Sequence, residues 1–315
     1  MVADASVPLP KSLVARNRRR RLSSHVYTLA TLVVALALFG GMLGAYHPAL
    51  DTLGAFRLQA MAALAAALVM ASITQRFMPG LVAAVAFTAG LASVFPWIKG
   101  PSVDAPAVTL LQANLLRYNE ASPELVAAIR ESGADLVTVQ EVSESNIGVL
   151  DALGRYYPHQ MYCEGAVGSG LAVLSKSPIG SGVSCDEDAR LTGVEVETSG
   201  GPLAVYAFHA YWPWPYGHQE QFARAVKGLG EKDMPMVIGG DFNMTPWSHA
   251  VGEFARATNT EVTAGLSPTI ALAAGLASLR IDHVLCPKGW ACEAETLNLP
   301  GSDHLGLLTR MAPAT

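Results

Sequence analysis

The chain is organised around the stretch Met236-Val237-Ile238-Gly239-Gly240-Asp241-Phe242-Asn243-Met244-Thr245-Pro246. An apolar run of strand type ends in two glycines, and Asp241 and Asn243 follow two apart before Thr245-Pro246 turns the chain away. Residues two apart on an extended segment point to one face. A carboxylate and a carboxamide therefore project together from the carboxyl end of a buried strand. Taken alone, the pattern is equally that of an Asx-rich turn closing a strand. What gives it meaning is its recurrence in the rest of the chain.

Moving outward, polar residues stand wherever a short β-rich run stops. Asn114 ends the run Val108–Gln112 and Gln140-Glu141 ends Asp135–Gln140. His209 ends Leu203–His209, Asp282-His283 lies inside an expected strand Leu279–Cys286, and Ser302-Asp303-His304 precedes an expected strand Leu305–Arg310. Two more strands are expected at Gly170–Ser175 and Thr192–Glu197. Helices fall between them. Pro123–Ser132 has Ser122 as cap and proline at its first position. Others are expected from Glu141 to about Leu153, over His218–Leu229, and from about Ser248. Hairpin-like and β-α-β spacings are mixed, which two sheets with outer helices accommodate. Neighbouring strand ends converge in such folds. Convergence here gathers acids, asparagines and histidines into one acidic pocket, an inventory suited to a hard, oxygen-ligated cation such as Mg²⁺ plus histidine for proton transfer.

In this order, Asn114, Gln140-Glu141, His209, Gly-Asp-Phe-Asn at 240–243, Ile-Asp-His at 281–283 and Ser-Asp-His at 302–304 resemble the endonuclease/exonuclease/phosphatase (DNase I-like) superfamily. The resemblance covers residues ~105–312 and extends to a membrane-anchored bacterial subgroup. It implies an α/β fold, a four-layer sandwich of two mixed β-sheets flanked by helices. It also implies a metal-dependent hydrolase acting on phosphoester bonds, with Mg²⁺ (or Mn²⁺) as cofactor. Carried over by resemblance, Glu141 is the principal metal ligand, with Asn114 beside it and Asp303 near the metal. Asp241 orients or deprotonates the attacking water, and Asn243 holds a phosphate oxygen. His304, oriented by Asp282, faces the scissile phosphate, and His209 assists proton transfer with Glu164 as a candidate partner. Two departures touch the substrate rim: Ala113 stands where an aromatic is common, and Thr269 is followed by Ile270 rather than Trp. His283 is expected to pack or cap on the opposite face, and His218 and His249 to lie at the surface. Tyr211, Trp212, Trp214 and Tyr216, set between prolines, suit a substrate pocket, a membrane surface or a sheet edge.

The chain of 315 residues is 51% hydrophobic, with a mean hydropathy of +0.31, and the excess lies before residue 100. Uncharged stretches at about 26–46, 58–74 and 77–98 meet the ~17–25 residues a membrane helix needs. They divide the chain into a basic, unstructured cytoplasmic arm (1–25), a three-helix transmembrane region (26–99) and the hydrolase domain (100–315). Arg16, Arg18, Arg19, Arg20 and Arg21 hold the N-terminus inside. Three crossings then place residues after 99 in the periplasm, as a multi-pass protein of the bacterial inner membrane.

The charge split bears on substrate. Of the 21 basic and 26 acidic residues, 12 and 24 lie after residue 99, a net of −12. So acidic a domain is a poor general duplex binder. The expected partners are the bilayer and a phosphoester substrate: a lipid headgroup, a small phosphoester or nucleic acid. No protein partner is predicted. The alternatives are a periplasmic nuclease and a non-catalytic protein keeping the fold for binding. Cys163, Cys185, Cys286 and Cys292 all lie in the hydrolase domain. They are compatible with two disulfides in any of three pairings, or with four buried thiols.

Overall fold

A computed structural model describes residues 11–165, 169–180, 182–230, 233–272, 275 and 277–314, with side chains from Ser23 onward. In chain order the elements are α1 (Lys11–Gly41), α2 (Pro48–Gly54), α3 (Arg57–Thr74), α4 (Phe77–Val94), β1 (Val108–Asn114), α5 (Pro123–Glu131), β2 (Leu136–Val142), α6 (Gly148–Leu153), β3 (His159–Cys163), β4 (Gly170–Ser175), β5 (Ser184–Asp186), β6 (Leu191–Thr198), β7 (Gly201–His209), α7 (His218–Leu229), β8 (Met236–Asp241), α8 (His249–Ala257), β9 (Thr260–Val262), β10 (Ile270–Leu272), β11 (Ala277–Leu279), β12 (Asp282–Pro287), β13 (Trp290–Asn298) and β14 (Leu305–Pro313). The chain divides into two units: Met1–Gly40 with Arg57–Ala92, and Gly41–Phe56 with Ser93–Thr315.

The first unit is helical. Three stretches, Ser23–Gly41, Arg57–Thr74 and Phe77–Trp97, are long and apolar enough to cross a membrane, with mean hydropathies of 1.6, 1.5 and 1.8. Within this unit the Tyr27 hydroxyl donates to the Ala67 carbonyl. The Arg76 guanidinium lies over the Tyr27 ring, 5.4 Å from its centroid. The expected arm is not wholly unstructured, since α1 already runs from Lys11; residues 1–10 lie outside the described residues. The first apolar helix also stops at Gly41 rather than at residue 46, where a Cβ at Gly41 would collide with Gly54 and one at Gly44 with Asp51.

The second unit contains two mixed six-stranded sheets among the described residues, in the orders β13-β14-β1-β2-β4-β3 and β5-β6-β7-β8-β12-β9. A small β10-β11 hairpin lies apart from both. β1 runs parallel to β2 and β7 parallel to β8; the other pairs are antiparallel. Between the sheets, Leu110, Val173, Val205, Val237, Val284 and Leu307 form the central core. Outside, α5 and α6 cover one sheet through Leu125, Ile129 and Leu153. Phe222, Phe254 and their neighbours on α7 and α8 cover the other. The result is the expected four-layer sandwich.

Local sequence explains the parts that hold the site. A side chain at Gly239 would collide with Thr138 of the facing sheet, and one at Gly240 with the Phe208 carbonyl of β7. Only glycine lets β8 pass between them. Ser122 accepts from Leu125 N at 3.1 Å and so caps α5 ahead of Pro123.

Two expected elements differ, and one strand is additional. The helix leading to Leu153 is a true helix only from Gly148. Before it, Asn146 accepts from Ser143 N and donates to the Glu141 and Leu116 carbonyls, offering the backbone an alternative to helix. The expected strand Leu279–Cys286 is broken at Arg280-Ile281, because Thr269 Oγ1 takes the N–H groups of Ile281 and Asp282 at 3.1 and 3.2 Å. β13 was not expected at all. It is an edge strand whose Glu293 and Glu295 face Arg310 of β14 at 3.7 and 3.4 Å, so apolar alternation is absent.

The four cysteines form two disulfides, Cys163–Cys185 and Cys286–Cys292. Each joins one sheet to the other, β3 to β5 on one side and β12 to β13 on the opposite side.

Candidate active site

Strand register assembles the site. Asn114 pairs with Gln140 at the parallel ends of β1 and β2, and His209 pairs with Asp241 at the parallel ends of β7 and β8. β12 runs the other way, so its first residue, Asp282, lies opposite Asp241. His304 bridges to Ile270 just before β14. Residues almost 200 apart in sequence thus meet at one end of the sandwich.

Glu141 lies on a register shift between β2 and β4 and has φ 60°, as Leu116 and Asn243 have φ 62° and 52°. Left-handed backbone at non-glycine residues is uncommon and collects at functional sites. The bulge turns Glu141 out of the ladder toward Asn114. Asn114 Nδ2 donates to Glu141 Oε1 at 3.2 Å and Asp241 Oδ2 at 3.1 Å, tying the two sheets' carboxylates together. Its Oδ1 accepts from Leu116 N, so to offer oxygen to a cation this amide must turn over. Arg117 N donates to Glu141 Oε2 at 2.8 Å.

His209 Nε2 lies 3.7 Å from both Glu141 Oε1 and Asp241 Oδ2. These carboxylates, not the exposed Glu164, face His209. Burial pushes His209 down to about 4, against the pull of Glu141, so it rests neutral. On the other side, His304 Nδ1 and Asp282 Oδ2 are 2.8 Å apart. Burial opposes charge on His304, but Asp282, Asp241 and Asp303 outweigh it and raise the imidazole to about 10. Burial likewise pushes Asp282 up, yet His304 and donors from Thr269 and Gln112 hold it below the usual carboxylate range. His304 and Asp282 thus form a charged pair.

Asp241 has no such partner: His304 Nε2 is 3.9 Å away. Burial and the Asp282 charge push Asp241 up to about 8. A cation between Asp241 and Glu141 removes that penalty. Ligand atoms of Glu141, His209 and Asp241 lie within 4.8 Å of one another, as do those of Asp241, Asp282 and His304. Oxygen donors dominate the first group, which suits a hard divalent ion. Asp303, expected near the metal, is exposed and lies 4.0 Å from His304, outside both groups of ligand atoms found among the described residues. Asn243 donates from its backbone to Asp241 Oδ1 at 2.8 Å and from Nδ2 to the Ala210 carbonyl at 2.9 Å, leaving its side-chain oxygen free to face a ligand.

A cavity of about 280 Å³ opens beside His209 and Asn243, lined by Arg190, Tyr211, Trp212 and Tyr216. Arg190 lies 4.6 Å from the Tyr211 ring centroid. Trp212, Trp214 and Tyr216 are exposed, so they do not pack over a sheet edge. His283 packs as expected, buried and bound to the Met244 carbonyl at 2.8 Å. His218 is not at the surface: it is buried and bound to the Phe242 carbonyl at 2.9 Å. His249 is half-buried.

Sequence reasoning passed over Gln112. Fully buried, it donates to Gln140 Oε1 at 2.7 Å and Asp282 Oδ1 at 2.9 Å, holding the carboxylate that holds His304. Its signal was visible, since it lies two residues before Asn114 on the same strand face.

A model of the Endonuclease/Exonuclease/phosphatase family matches residues 111–304. No curated protein sequence matches the chain. Among solved structures, the human Nocturnin catalytic domain with bound sulfate is 16% identical, with a TM-score of 0.50, over 67% of this chain and 96% of that one. TDP2 from Caenorhabditis elegans is 15% identical, with a TM-score of 0.50, over 81% and 92%. A Staphylococcus aureus beta toxin mutant with bound magnesium ions is 17% identical, with a TM-score of 0.48, over 65% and 99%.

Proposed function

The chain belongs to the Endonuclease/Exonuclease/phosphatase family and is a metal-dependent phosphoester hydrolase; from that premise we propose that it is a membrane-anchored, Mg²⁺-dependent enzyme cleaving phosphodiesters of lipid headgroups or small molecules outside the cytoplasm. The observation that carries this reading is the meeting of Glu141, Asp241 and His209 with the charged His304–Asp282 pair at one end of the sandwich. Glu141 and Asp241 would hold the ion, joined by Asn114 once its amide turns. A bound divalent cation supplies positive charge to the phosphoryl oxygens.

The remaining steps belong to the protein. Asp241 would orient the attacking water and pass its proton on to neutral His209, 3.7 Å away. His304, kept protonated by Asp282, donates to the developing charge on phosphorus oxygens. His209 would then deliver that same proton to the leaving oxygen and return to its neutral form. Asn243 presents its amide oxygen beside the aromatic cavity, so holding a phosphate oxygen would require it to turn its Nδ2 away from Ala210.

Support for the membrane and compartment assignments is independent of the chemistry. Three helices have the length and apolarity to span. Gly41–Phe56 folds with Ser93–Thr315 as one unit. The two flanks of the α3–α4 hairpin therefore lie on the same side, so α3 and α4 cross together or not at all. If α1 crosses, the arginine-rich arm lies opposite the catalytic unit. Two disulfides suit an oxidising compartment. The net charge of −12 after residue 99 and the exposed Trp212, Trp214 and Tyr216 favour a headgroup or small diester over duplex DNA.

The test is a substrate panel with the full chain in detergent micelles and Mg²⁺: phosphatidylcholine, bis(p-nitrophenyl) phosphate and duplex DNA. Headgroup or small-diester release exceeding DNA cleavage is expected. DNA as the best substrate would transfer the assignment to a nuclease.

A further inference from the structure

The connection between the first two apolar helices folds with the catalytic unit rather than with the helices it joins. At its centre Asp51 is only 4% exposed. Its Oδ2 accepts from Ser248 Oγ at 2.8 Å and Ala250 N at 3.0 Å, and its Oδ1 accepts from His249 N at 2.8 Å. These donors are the opening of α8, where a helix has N–H groups without partners and favours negative charge. Ser248 already accepts from Val251 N, so Asp51 completes a cap that the local sequence only begins.

Three further contacts run from the same segment to the site's supports. Trp247 Nε1 donates to the Gly54 carbonyl at 2.7 Å. Ala55 packs in a buried cluster with Ile270, Leu279 and Ile281. Ile270 is the bridge partner of His304, and the Ile281 carbonyl accepts from Phe242 N at 2.9 Å. His47 meets the Trp214 ring edge-on, with centroids 6.3 Å apart.

These contacts close on residues 242–248, the loop that joins Asp241 and Asn243 to α8. His218 and His283 hold the Phe242 and Met244 carbonyls at the start of this loop, and Asp51 holds residues 248–250 at its end. We infer that the Gly41–Phe56 connection is a working part of the active site, with Asp51 a positioning residue that fixes the loop carrying Asn243. The inference deepens the phosphoesterase reading above and rests on it for its kinetic consequence. It also means that a fragment starting at residue 100 lacks part of its site.

Mechanically, removing the Asp51 carboxylate leaves three donors without that acceptor, two of them buried and the His249 N–H partly so. The loop can recover them only by moving toward water. A shift of about 1 Å at a catalytic loop lowers turnover by about 10²-fold without abolishing binding.

The experiment uses the full chain in detergent micelles with Mg²⁺, as wild type, Asp51→Ala, Asp51→Asn and Trp247→Phe. Amide hydrogen exchange over 242–251 is read beside kcat and KM on bis(p-nitrophenyl) phosphate. Asp51→Ala is expected to speed exchange over 242–251 while the central strands stay protected. Its kcat should fall about 10–100-fold with KM changed by less than about 3-fold. Asp51→Asn, which keeps one acceptor oxygen, should recover part of both losses. Should Asp51→Ala fail to fold, the same paired changes are expected, smaller, in Asp51→Asn and Trp247→Phe.

Faster exchange with wild-type kcat would reduce Asp51 to a helix cap and overturn the inference. Unchanged exchange would overturn it outright. A wild type inactive on every phosphoester instead condemns the reading of function, and exchange alone then decides whether the connection holds the loop.

Discussion

Glu141 is where sequence, backbone and chemistry meet: it is turned out of β2 by a register shift, held in left-handed backbone, and aimed at Asp241 and His209. Glu141→Gln keeps the shape and the Arg117 N–H contact but removes the charge. We expect at least about 10²-fold loss of kcat with unchanged thermal unfolding, given what an electrostatic group in such a site is worth. The two histidines separate by leaving group. His304→Ala should lose activity on every phosphoester, because on the proposed mechanism the imidazole paired with Asp282 serves the phosphoryl group itself. His209→Ala should lose about 10²–10⁴-fold on alkyl diesters and far less on p-nitrophenyl esters, whose leaving group needs little protonation. Equal losses on both would assign His209 to binding or support. At this scale the sequence was legible wherever a polar residue ended a strand. Partners that depend on tertiary register were not: Gln112 shared a strand face with Asn114, but nothing local named Asp282 as its partner or the Phe242 carbonyl as that of His218.

Elements carry the stability. The two disulfides fasten opposite sides of the sandwich, closing separations of 22 and 6 residues. Loop-closure entropy predicts that the double serine variant of Cys163 and Cys185 loses about 3 kcal/mol and that of Cys286 and Cys292 about 2 kcal/mol. Urea unfolding followed by tryptophan fluorescence measures both. Buried His283 adds an acid limit. Burial, with the Arg280 charge, lowers it from 6.5 to about 3. The unfolded chain therefore takes up its proton first. No stability is lost above about pH 6.5, and as pH falls from there toward 3 the loss grows to at most about 4–5 kcal/mol. His283→Gln should flatten that part of the stability–pH curve, and a curve unchanged by the substitution would remove His283 from the account. Long elements with clear punctuation could be read in advance: α5 between Ser122 and Glu131, α7 over His218–Leu229, and β8 itself. Short or edge strands could not. β5, β9 and β10 are three residues long, and β13 carries its glutamates on an exposed edge where no apolar alternation is required.

For the whole molecule, the question is which side of a membrane the site faces. The three apolar stretches and the basic arm were plain in composition, whereas the membership of Gly41–Phe56 in the catalytic unit depends on Asp51 reaching a helix almost 200 residues away. Alkaline phosphatase fused after Thr315 should be active and a fluorescent protein fused there dark, with the opposite pattern for either reporter placed at Gln75. A matching pattern at both sites would mean that α3 and α4 do not cross. Above all, hydrolysis is expected to depend on a divalent cation held by Glu141 and Asp241. The most direct measurement titrates Mg²⁺ into the EDTA-treated full chain and follows bis(p-nitrophenyl) phosphate hydrolysis for wild type and Glu141→Gln side by side. No activity is expected in EDTA, with saturable recovery of the wild type and little or none in the variant. Undiminished hydrolysis in EDTA, or equal recovery by Glu141→Gln at the same Mg²⁺ concentration, would contradict that dependence.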